Sequence, residues 1–132
     1  MTRAAWIALG LGLAAPAGAE EIVVPSGQPV TLQDVIWGIP GPEGLTVRFR
    51  FIAPEIARDG GSIDFDTASA DMEYLCNTYA LPRVETLTGP TPEEIVIAFS
   101  DIPVEFGTIA PEATQFFEAF SVEDGICILE AF

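Results

Sequence analysis

Hydrophobic and polar positions along the chain follow two distinct periods. Leu45, Val47, Phe49 and Phe51 alternate with Thr46, Arg48, Arg50 and Ile52, a period of two that marks a strand with one face in the core. From Thr67 to Ala80 the period lengthens. Ala68, Met72, Leu75 and Tyr79 recur at spacings of four, three and four, which predicts an amphipathic helix. Asp66 stands where an N-cap is expected, Asp71 and Glu73 suit the positive end of the helix dipole, and Pro82 is expected to close the helix. Ile95-Val96-Ile97-Ala98-Phe99 is apolar throughout, as in a central strand buried on both faces.

The remaining pattern predicts shorter pieces. Ile22-Val23-Val24 reads as a first strand or edge segment, and Val30 to Trp37 as a second strand. Gly38 to Gly44 holds two prolines and three further interruptions to regular pairing, so it is expected to be a loop. Glu55 to Arg58 suits a single turn, Ser62-Ile63 a short strand, and Val104-Glu105-Phe106 an edge piece. At the C-terminal end two apolar runs flank Glu123-Asp124-Gly125, a hairpin signal because glycine takes the positive φ of tight turns. In its first arm Phe116, Glu118, Phe120 and Val122 share one face, while Phe117, Ala119 and Ser121 share the other. The sum is an α+β domain: a mainly antiparallel sheet of five to seven strands with one helix packed on a face.

Composition adds compartment. Met1-Thr2-Arg3 precedes an apolar run from Ala4 to Ala15 and the small-residue site Ala17-Gly18-Ala19, which predicts a signal peptide over 1–19 and a single domain over 20–132. The apolar run is shorter than the ~20 residues a membrane span needs, so no stable membrane insertion is expected after cleavage. Cys76 and Cys127 are the two cysteines, and in an exported chain they are expected to form one disulfide stapling the helix to the hairpin. The predicted address is periplasmic.

Charge narrows the function. The whole chain carries −15, with twenty acidic residues and no histidine. Such a field repels phosphate backbones and anionic lipid surfaces, which argues against nucleic-acid binding and favours cationic partners. Without His or Lys, and with both thiols oxidised, the Ser-His, Cys-His and Ser-Lys pairs are excluded, as are imidazole or thiolate metal sites. No cofactor motif is present. Arg48 and Arg50 share a strand face, where they are either an anion or partner contact or are paired with acids across the sheet. Asp59, Asp64 and Asp66 are weak calcium candidates, but their spacing lacks the alternation of a calcium loop. Glu118 and Glu130 are acids among apolar residues, open to a hydrolytic role on cell-wall saccharide or to a plain position on the outward strand faces.

Val24 to Gln28, Gly41 to Leu45, Val47 to Phe51, Asp71 to Cys76, and Phe116 through Cys127 to Phe132 resemble a family of small exported alphaproteobacterial proteins classed as a domain of unknown function. The resemblance implies a shared fold and a periplasmic address, and carries no catalytic motif. The expectation is a non-enzymatic accessory module presenting an acidic surface to a protein partner. A carboxylate-dependent hydrolase or a weak calcium-binding protein is the alternative.

Overall fold

The computed structural model describes residues 20–41, 44–86 and 91–130, so the leader expected at 1–19 lies outside the described residues. Five strands form one sheet in the order β1-β2-β3-β4-β5: β1 (Thr31–Gly41), β2 (Gly44–Ile52), β3 (Glu94–Ser100), β4 (Gln115–Glu123) and β5 (Ile126–Leu129). Neighbours run antiparallel except β2 and β3, which are parallel. A parallel pair cannot be joined by a tight turn, so the chain between them crosses one face of the sheet and brings the helix with it. The architecture is the expected α+β layer arrangement, with its helix on one face.

Strand alternation places Val47, Phe49 and Phe51 of β2, Ile95, Ile97 and Phe99 of β3, and Phe120 of β4 under the helix, all fully buried. Ala68, Met72 and Leu75 come down onto them. Tyr79 meets Phe49 and Phe51 edge to face at 6.2 and 5.7 Å, and Phe51 meets Phe99 at 6.2 Å, the geometry that ring quadrupoles favour.

The helical segment differs from expectation at both ends. It opens at α1 (Phe65–Leu75), and its N-cap is Asp64, whose carboxylate accepts from the Thr67 backbone N–H at 2.9 Å. Asp66 lies in the first turn instead. At the far end the chain passes through a π-helical turn, Cys76–Ala80, into α2 (Leu81–Glu85), with Leu81 N–H donating to the Cys76 carbonyl. Pro82 therefore sits inside the helix rather than closing it. The wider turn draws the carbonyl ladder away from a ring that would clash with a regular one. It also adds a residue to the apolar stripe, which continues after Leu75 and Cys76 at Ala80, Leu81 and Val84.

Several short elements are also revised. β1 and β2 run on through the Gly/Pro stretch to Gly41 and from Gly44, since antiparallel partners satisfy the backbone there. The N-terminal segment forms a single bridge, Glu21 to Thr31, rather than a strand. Ser62-Ile63 and Val104 to Phe106 are irregular. Asp124 and Gly125 both have positive φ, 53° and 76°, as a two-residue hairpin turn of the primed type requires.

Two ties fasten the helix. Cys76 is bonded to Cys127 across a sequence separation of 51, with Cα atoms 6.2 Å apart. Beside it, Asn77 Oδ1 accepts from the Cys127 N–H at 2.9 Å, occupying an outward donor of the edge strand. At the other end Asp71, wholly buried, accepts from Ser26 N–H at 3.0 Å, Ser26 Oγ at 2.5 Å and Gln28 Nε2 at 2.7 Å. These bonds knot the N-terminal segment to the helix.

Two measurements test this frame. Replacing both cysteines with alanine should lower the unfolding free energy in urea titration by about 4 kcal/mol, the loop-closure entropy of a ring this size. A negligible loss would show that packing alone seats the helix. The second concerns Asp64, whose carboxyl is held below the ordinary aspartate range by hydrogen bonds from Thr67, the backbone N–H foremost. Because the folded value is depressed, the cap stabilises above the unfolded value of about 3.9 and loses its effect as the pH falls through the depressed one. Asp64→Ala should thus lower Tm at neutral pH, and the gap to the parent should close in acid.

Candidate functional site

The helix leaves the second face of the sheet uncovered, and the charged groups of the sheet's centre collect there. β2 contributes Arg48 and Arg50 to this face, β3 contributes Glu94, Val96 and Ala98, and β4 contributes Phe117 and Ala119. β1 adds Asp34 opposite Arg50 and Ile36 opposite Arg48. Strand pairing alone brings these residues together, from four strands that span positions 34 to 119.

The two arginines have different roles. Arg50 is buried, and its Nη1 donates to both oxygens of Asp34, at 3.0 and 2.8 Å. Its Nη2 donates to the Val104 carbonyl, and its guanidinium lies 5.4 Å from the Phe106 ring. A register shift in β1 between Leu32 and Asp34 turns Gln33 so that its Nε2 also donates to the Val104 carbonyl, at 2.8 Å. Arg50 is therefore a structural clamp that holds the irregular 101–114 segment over the sheet. The segment expected to add an edge strand instead caps the open face with Val104 and Phe106.

Arg48 has no such partner. Among the described residues it makes no hydrogen bond or ion pair, and its buried Nε–H has no acceptor. Its guanidinium rests 5.4 Å from the centre of the Phe117 ring, a cation–π contact. Burial, then the neighbouring charge of Arg50, pulls its pKa downward, with Glu94 acting in the opposite direction. Arginine nevertheless stays charged at any working pH. Glu94, also buried, accepts from Thr46 Oγ1 at 3.1 Å rather than from Arg48.

Arg48 forms part of the wall of two cavities. One, of about 190 Å³, is lined on its polar side by Gln33, Arg50, Ser100, Thr108 and Gln115. The other, of about 210 Å³, is lined by Ile39, Pro40, Val96, Phe117 and Ala119, with Glu94 at its wall. The arrangement can take up a negatively charged group beside an apolar one. It offers no nucleophile paired with a base.

The other candidates do not converge. Asp64 caps the helix, Asp66 lies in its first turn, and the described residues hold no group of three or more acidic or cysteine side chains able to grip a metal ion. Glu118 does not face outward. It points to the helix side, where both its oxygens accept from Ser69 Oγ at 2.8 Å. Glu130 continues the hairpin pairing, its N–H donating to the Ala119 carbonyl. Phe117 and Glu94, which complete the site, were not singled out from the sequence. The alternation of β4 marks Phe117 as facing away from Phe116, but only strand order shows that it faces Arg48.

Together these features define a small disulfide-bonded α+β domain with a charged, cavity-bearing sheet face, and no helix among the described residues is long and apolar enough to cross a membrane. The chain belongs to the family of unknown function DUF6497, whose model matches residues 8–132. No curated protein and no solved structure matches it.

The clamp assigned to Arg50 is testable. Arg50→Met removes the partner of Asp34 and one donor to Val104, and should cost about 1 to 3 kcal/mol. Hydrogen exchange should quicken at residues 102–108 and stay unchanged in the helix. Unchanged exchange in that segment would refute the clamp.

Proposed function

We propose that this chain is an exported, non-enzymatic interaction module that presents an acidic surface to a protein partner in the periplasm. The carrying observation is how its arginines are spent. Arg50 pairs with Asp34, whereas Arg58 donates to the carbonyls of Pro111 and Ala113. Arg83 donates to the Tyr79 carbonyl and lies 3.5 Å from the centre of its ring, and Arg48 lies against Phe117. These arginines neutralise one carboxylate among the described residues, so exposed acids such as Asp59, Asp66, Glu73, Glu123 and Asp124 keep their full field.

Apolar surface accompanies the charge. Ile126 and Ile128 of the edge strand are 53 and 37 % exposed beside Glu123 and Asp124, an apolar patch rimmed by acids of the kind protein interfaces use. Such a field speeds encounter with a basic surface, and the apolar centre holds the complex once formed. The signal-like run from Ala4 to Ala15 and the Cys76 to Cys127 bond support an oxidising compartment.

The test is affinity capture from periplasmic extract with residues 20–132, followed by titration of the captured protein. A basic partner should bind in stoichiometric amount, weaken about tenfold as added salt shortens the screening length from ~10 to ~3 Å, and weaken further with Ile128→Asp. Capture of nothing, or of a partner indifferent to salt and to Ile128→Asp, would overturn the reading.

A further inference from the structure

Arg48 is where the structure leaves recognition chemistry unused. Arg48 is half-buried, and its Nε–H is withdrawn from water with no acceptor among the described residues, which is costly. The neighbouring groups make the site specific. Glu94 accepts from Thr46 through Oε1 and makes no ion pair with Arg48, and Asp34 is engaged by Arg50. The Phe117 ring lies against Arg48, so the charge is gripped by an aromatic and still lacks an anion.

We propose that the open sheet face binds a small monocarboxylate with an apolar body. The carboxylate takes the polar cavity between Arg48 and Arg50, and the body takes the cavity of Ile39, Pro40, Val96 and Ala119. Charge fixes this orientation. In the polar cavity Arg48 has no ion-pair partner and Arg50 is balanced by Asp34, leaving Glu105 as the one carboxylate on the lining, whereas Glu94 on the wall of the apolar cavity repels an anionic head from it. A planar carboxylate matches the donor fork of arginine in a way a point anion does not. A dianionic phosphate is opposed twice over, by Glu94 and Glu105 nearby and by the charge of −15 on the whole chain. The ligand is a small molecule, so the proposal stands apart from the partner-binding reading.

The test uses 3-phenylpropionate and its neutral amide on the intact folded chain, followed by calorimetry and by the ¹H–¹⁵N signal of the Arg48 Nε–H. The acid should bind and shift that signal, the amide should bind at least tenfold more weakly, and inorganic phosphate should fail to displace the acid. Arg48→Lys, which keeps the charge and loses the fork, should weaken the acid about tenfold and leave the amide unchanged. Equal binding of acid and amide, binding that leaves the Arg48 signal in place, or no binding at millimolar probe would each refute the site. Because acid and amide are compared on the unaltered chain, a variant that fails to fold does not blunt the result.

Discussion

The parallel pairing of β2 with β3 is the constraint from which the rest follows. Every other neighbour in the sheet is reached by an antiparallel step, but Val47 opposite Ile95 and Phe49 opposite Ile97 can meet only if the chain first travels back along the sheet. That return covers one face with helix and leaves the other to the irregular 101–114 segment, which covers it only in part. The helix is thus a consequence of strand direction, and the two faces acquire different work: aromatic packing beneath the helix, charge and cavities on the far side. The pleat of β2 then sets Phe49 beneath the helix and Arg48 on the far side.

Polar groups follow that separation. Asp71 is drawn inside because three donors of the Ser26 to Gln28 turn meet it there, and a buried carboxylate is tolerated only when so supplied. Arg50 is tolerated on the same terms, through Asp34 and the Val104 carbonyl. Arg48 is the exception on the same strand, two residues away, and the comparison gives it meaning. One arginine completes the fold and the other is left over for something outside it.

How much of this could be read from residues alone differs by feature. The strand at Leu45 to Ile52, the helical stripe from Ala68 to Tyr79, the terminal hairpin and the bond between Cys76 and Cys127 were all legible, because each rests on local periodicity, turn chemistry or the small number of cysteines. Helix ends were less so. Asp64 and Asp66 are both plausible caps by type, and only the backbone N–H of Thr67 decides between them. Pro82 misled because a proline normally ends a helix, and nothing local announces the wider turn that accommodates it. Glu118 misled for a different reason: an acid on an apolar strand is expected to look outward until a helix hydroxyl, that of Ser69, is found facing it.

The candidate site was legible only as two arginines on one strand face. Which of them would be paired depended on Asp34 being brought opposite Arg50 by a bulged register, and on Val104 arriving from a segment more than fifty residues away. Phe117 and Glu94 join the site solely through the order of the strands. Long-range pairing of this kind leaves no local periodic trace.

The neighbour of the sulfur bridge, Asn77, gives the fold one more property. By accepting from the Cys127 N–H it closes a position at which a second β-strand would otherwise dock, on a border of Ile126, Cys127, Ile128 and Leu129 that bears no charge to discourage one. The sulfur bridge fastens the same strand one residue along the helix, so the free margin of the sheet is shielded by a covalent and a hydrogen-bonded tie side by side.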